Sequence, residues 1–123
     1  MDWEQALRTR AKAAVAATVD WDLRPEHSGL PCVVLTLVSD PRPQHLKGFN
    51  VHRESRVQVD CWAETATAAY DLREALIPVL VDAGTFDGIE FGRGAIEIGL
   101  RRAEKTEAGF VHRDSFDLIT LHN

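Results

Sequence analysis

From Asp2 to about Val19, core-compatible residues recur at helical spacing. Trp3, Leu7, Ala11, Ala14, Val15 and Thr18 share one stripe, and Arg8, Arg10 and Lys12 lie off it. Alanine and arginine favour helix, and Asp2 can cap its first turn. A loop follows from Asp20 to Gly29, marked by Pro25, Ser28 and Gly29. Leu30 to Ser39 is then almost continuously apolar, which predicts a strand covered on both faces by helices or by a partner chain. From Asp40 to Ser55 periodicity disappears, and Pro41, Pro43, Gly48 and Asn50 indicate a long loop. Arg56 to Ala63 alternates cleanly. Val57, Val59 and Cys61 point one way, and Arg56, Gln58, Asp60 and Trp62 point the other.

Thr65 can cap a second helix reaching towards Ala83, with Gly84 as its stop. Ala69, Leu72, Leu76, Val79, Leu80 and Ala83 form its apolar stripe, and Pro78 inside the pattern predicts a kink or an early end. Two further strands are expected, at about Ala95–Ala103 and Phe110–Leu121, joined by a polar connection that ends at Gly109. The order α-β-β-α-β-β predicts an α+β fold, an antiparallel β-sheet with both helices packed on one face. At 123 residues the chain is read as one domain spanning residues 1–123.

Composition narrows the function. Nineteen acidic residues against 14 basic ones leave a net charge of −5, the wrong sign for a dedicated nucleic-acid binder. No apolar run approaches the roughly 20 residues of a membrane span. The acidic start Met1-Asp2-Trp3-Glu4 does not resemble a secretion signal, so a cytoplasmic site of synthesis is expected. Cys32 and Cys61 sit in strand-like runs without CxxC spacing and read as buried free thiols.

Candidate chemistry is sparse. The five histidines, at 27, 45, 52, 112 and 122, have no zinc-type spacing and read as solvated or locally hydrogen-bonded. There is no GxSxG elbow, and the pairs Asp60/Glu64 and Glu90/Glu97 read as surface charges. Gly92-Arg93-Gly94 lacks the lysine and following helix of a phosphate loop and reads as a turn. Catalytic residues, metal and cofactors are therefore expected to be absent. Two features point to protein contacts instead. Trp62 lies opposite the helix-packed face, where tryptophan marks interfaces, and the last strand offers apolar Leu118 and Ile119 to opposite faces. The stretch Asp40–Arg56 sets Arg42, Lys47, Arg53 and Arg56 against Asp40 and Glu54, a local +2. Phe49 alone offers little base stacking there. The candidate subunit interface is Arg42, Lys47, Phe49, Arg53, Gln58, Asp60 and Trp62.

The run Arg56-Val57-Gln58-Val59-Asp60-Cys61-Trp62-Ala63-Glu64-Thr65, with the alanine-rich helix after it, resembles the tail-completion or tail-terminator family of long-tailed phages and gene-transfer particles. Leu30-Pro31-Cys32-Val33-Val34 and Asp114-Ser115-Phe116-Asp117-Leu118 look like that family's first and final strands. Pro78 and the ending His122-Asn123, where an aromatic finish is usual, depart from its pattern. The resemblance implies a structural virion protein at the tail–head junction, a ring usually of six copies that caps the tail tube and receives the head. Its partners would be its own copies, the major tail-tube protein and head–tail connector proteins, and genomic DNA would pass through without sequence-specific binding. The rival readings are a head-side connector or stopper protein, a small nucleic-acid-binding module on the sheet, and a small hydrolase or ligand-binding enzyme.

Overall fold

A computed structural model describes residues 2–22, 30–39, 53–106 and 109–122. The first helix, α1, spans Trp3–Ala14, and the Asp2 side chain accepts a hydrogen bond from Gln5 N at 2.9 Å. It ends five residues before the expected Val19. Val15 is extended, and Thr18–Trp21 forms a strand, β1, in place of the last helical turn. The reason is tertiary. β1 pairs in parallel with β2 (Cys32–Ser39) and is anchored back onto the helix it would have extended. The Trp21 indole donates to Glu4 O at 2.9 Å, and Arg8 Nε donates to Val19 O at 2.8 Å. Strand hydrogen bonds plus ring burial outweigh a helix propensity worth only tenths of a kcal/mol per residue.

The strand β3 (Arg53–Ala63) pairs antiparallel with both β2 and β7 (Gly109–His122). It starts three residues earlier than the alternation suggested, so Arg53, Glu54 and Ser55 belong to a strand and not to a loop. Beyond β7 lies β6 (Ala95–Thr106), and the small hairpin of β4 (Gly84–Phe86) and β5 (Ile89–Phe91) continues at the end of β7. The hairpin was not expected, although Asp87-Gly88 between Phe86 and Ile89 is a sequence signal for it. Both residues have positive φ, 52° and 80°, as a two-residue hairpin turn of right-handed twist requires.

The architecture is α+β. One seven-stranded sheet carries both helices on one face, and the β1–β2 pair makes it mixed where an all-antiparallel sheet was expected. The second helix, α2 (Ala66–Leu80), is capped by Thr65 Oγ1, which accepts from Ala68 N at 3.1 Å. Pro78 is exposed inside it, and the helix passes through Pro78 to end two residues later, short of Ala83. Its last carbonyls are met from α1. Arg10 Nη2 donates to Val79 O at 2.5 Å and Asp82 O at 2.8 Å, a cation at a helix C-terminus. Arg10 is thus buried, contrary to its place off the apolar stripe, and burial lowers its pKa while Asp82 opposes that shift.

The core lies between helices and sheet, with Leu7 and Ala11 from α1, Leu76 and Leu80 from α2, and Val33, Leu35, Val57, Val59, Cys61, Phe116 and Leu118 below them. The alternation read for Val57, Val59 and Cys61 is the alternation observed. His122 departs from the solvated or local role expected of the histidines. It is fully buried, stacked on Trp3 at 4.2 Å, and hydrogen-bonded to Ser55 Oγ at 2.8 Å.

Candidate assembly surface

The open face of the sheet carries the alternate residues of β3, β7 and β6, and three polar rows cross it. In the first, Arg56 Nε donates to Asp117 at 3.0 Å and its Nη2 to Glu97. The hydrogen bond to Asp117 and the charge of Glu97 raise the Arg56 pKa against a small burial penalty. In the second row, Asp60 accepts hydrogen bonds from Gln58 Nε2 at 3.1 Å and from Ser115 Oγ. In the third, the Arg113 guanidinium lies 5.2 Å from the Trp62 ring.

This face is not bare. Cys32, Val34, Asp60 and Ser115 all point to it and are buried in the single chain, so the middle of the sheet is covered on both sides without a partner. Of the expected interface residues, Arg42, Lys47 and Phe49 lie outside the described residues. Arg53 is half-buried at the start of β3 beside His122. Gln58, Asp60 and Trp62 do stand together on the open face. Asp60 is buried with its carboxylate occupied, and Gln58 and Trp62 remain half-exposed.

The exposed apolar side chains lie elsewhere. Among the described residues the large ones are Leu37, Val38, Tyr70, Ile98, Leu100 and Phe110. Leu37 and Val38 occupy the half of β2 that outruns β1, and Ile98 and Leu100 are on β6, at the other edge of the sheet. Alternation along the strands placed Trp62 but could not reveal these, because edge position depends on strand order. At Gly99–Leu100, β6 carries a bulge opposite Ser115. A Cβ on Gly99 would stand 2.8 Å from Ser115 O, so this close approach needs glycine.

Between α2 and the β6–β7 hairpin lies an ion cluster that sequence reading missed. Asp114, 1% exposed, accepts from Arg73 Nη1 at 3.0 Å and Arg101 Nε at 3.2 Å. Both guanidinium groups lie over the Tyr70 ring, at 4.7 and 5.1 Å. Arg73 also donates to Glu74 at 2.9 Å, and this bond holds the Glu74 carboxyl below the usual carboxylate range. A depressed carboxylate stabilises the fold above its unfolded pKa, and that contribution is lost as pH falls through the folded value. Thermal melts from pH 7 to pH 3 should therefore show a shallower acid decline for Glu74→Gln than for the wild-type chain.

Neither thiol is poised for chemistry. Both cysteines are free and buried, and burial pushes the Cys61 thiol up, with Asp114 and Asp60 adding to the effect. No group of three or more metal-ligating side chains occurs among the described residues. The depression beside α2, lined by Ala66, Ala69, Arg101, Ala103, His112 and Asp114 among others, holds about 120 Å³. That is below the roughly 300 Å³ at which ordinary ligand pockets begin. No helix of the described residues is long and apolar enough to cross a membrane.

A family model described as tail completion protein gp17 matches residues 5–109. Among solved structures, a chain of a structure titled "Virion of native gene transfer agent (GTA) particle" is similar, with a TM-score of 0.58 at 13% identity, over 98% of this chain and 95% of that one. At that identity the likeness is one of fold. No curated protein sequence matches.

Proposed function

The chain belongs to the tail completion protein gp17 family, and from that premise we propose that it closes the head-proximal end of a phage-type tail as a ring of identical subunits and offers the surface on which the head docks. The role is structural and involves no catalysis. The family match over residues 5–109 carries this reading. Supporting it is where the described residues place their chemistry, in internal ion pairs and exposed apolar edges.

In this reading the basic stretch with Arg42, Lys47, Phe49 and Arg53 and the adjoining open face at Gln58, Asp60 and Trp62 meet the tail tube or a neighbouring subunit. DNA passes the ring without sequence-specific contact, in keeping with the net charge of −5. The ring is present at the tail–head junction of the particle, and subunits are recruited from the host cytoplasm during assembly.

The decisive experiment removes the gene from a producing strain and examines lysates by electron microscopy. Filled heads together with unjoined or overlong tails are expected, and a plasmid copy should restore joined particles. Labelled protein should then be found on free tails. Complete particles without the gene would overturn the reading. Label confined to free heads would replace it with a head-side stopper.

A further inference from the structure

The ring reading does not say what the two edges of the sheet do, and the exposed apolar side chains of the sheet lie there. We propose that neighbouring copies of this chain join head to tail through the two opposite edges of the sheet, the β6 edge of one against the β1–β2 edge of the next. This inference rests on the proposed ring.

The two edges are opposite in charge and both expose apolar side chains. At the β6 edge, Ile98 and Leu100 are more than half exposed. The acids of that strand are engaged inside the chain, Glu97 with Arg56 and Glu104 with Arg113 at 3.7 Å. Arg102 and Lys105 are exposed and have no ion pair among the described residues, so the edge presents positive charge. At the far edge, Leu37 and Val38 are exposed where β2 outruns β1. Asp22 stands exposed just past the end of β1, its N–H bonded to Leu35 O at 2.8 Å, two residues before Leu37. An apolar pair flanked by cations thus lies at one end of the sheet, and an apolar pair flanked by a carboxylate at the other. Two different complementary patches on one chain make a heterologous contact, which closes into a ring when the rotation permits. Pairing β6 with itself would bring its uncompensated cations together, which opposes a two-fold dimer. Arg8 already occupies Val19 O, and the contact at the second edge therefore falls on Thr36–Ser39 and not on β1.

Paired cysteines test the contact directly. Full-length Val38→Cys, Leu100→Cys and the double variant are oxidised as concentrated protein and within joined particles, and separated without reductant. The native thiols are buried, and the oxidised wild-type chain is the blank. The double variant should give a ladder of linked subunits, a mixture of the two single variants should stop at dimers, and each single variant alone should stay monomeric. Adding Arg102→Asp should lower the linked fraction at least tenfold, and Asp22→Arg alongside it should restore the ladder. Dimers from Leu100→Cys alone would replace the proposal with a two-fold contact. Joined particles of the double variant with no ladder would discard the edge contact while leaving the ring standing. Particles completed without the protein would discard the proposed function itself.

Discussion

Val59→Asp should leave the chain unfolded at room temperature. Val59 is fully buried in β3, with Leu35 and Phe116 as its cross-strand neighbours and the helices above it. Neither cross-strand neighbour, Leu35 or Phe116, has a side-chain donor to pair with a new carboxylate there. A buried, unpaired carboxylate costs several kcal/mol or shifts its pKa to neutrality at similar cost, and the lost valine packing adds about 1–2 kcal/mol. A domain of this size has only about 5–15 kcal/mol to lose. Val38→Asp is the control, since Val38 is 52% exposed at the sheet edge. Circular dichroism at 25 °C should find the first variant without a cooperative melt and the second melting within a few degrees of wild type. Gln58→Asp is no neutral control, although Gln58 faces away from the helices. It would set a third carboxylate beside Asp60 and directly opposite Asp117. Equal loss in Val59→Asp and Val38→Asp would mean the sheet is packed in another register.

Arg73→Met should cost about 3 kcal/mol, because it strips the buried Asp114 of its best partner. Arg73 and Asp114 are both almost wholly buried, and the remaining partner, Arg101, is 62% exposed and holds its carboxylate oxygen from solvent at 3.2 Å. Breaking one side of a buried ion pair typically costs about 3–5 kcal/mol, and Arg101 offsets part of that. For a chain of this length the drop in Tm is on the order of 10 °C. Replacing both groups, as Arg73→Met with Asp114→Leu, should recover most of the loss, because the desolvation penalty leaves with the charges. Arg101→Ala alone should cost under about 1 kcal/mol, as a mostly exposed ion pair does. A double variant no more stable than Arg73→Met would show that the cluster is needed for more than its own neutrality.

Much of the fold is legible in the residue pattern. Asp2 and Thr65 cap the two helices as their side chains suggest, and Val57, Val59 and Cys61 face the core by strict alternation. Those are local or period-two signals, carried by a few neighbouring residues. The Asp87-Gly88 turn is an equally local signal, but the three-residue strands on either side of it are too short to carry a periodicity.

What failed needed distant partners. Thr18 and Val19 read as the end of a helix and Asp20 and Trp21 as the start of a loop, and the four become a strand only because β2 is there to pair with them. Arg10 and Arg73 look like solvated charges on their helices. They are buried because residues 69 and 72 positions away supply carbonyls to Arg10, and one 41 positions away supplies a carboxylate to Arg73. His122 looks like a frayed terminus until Trp3, at the other end of the chain, provides a ring to stack on. The same division holds for the surface. Residue pattern alone carries the α+β class, the two capped helices, the core face of β3 and the family resemblance in Arg56–Thr65. Strand order was decided only in the tertiary structure, and among the described residues it makes Leu37 and Val38 one edge of the sheet and Ile98 and Leu100 the other. Side-chain periodicity records which face a residue occupies, whereas an edge exists only where a neighbouring strand is missing, and that is a property of the assembled sheet.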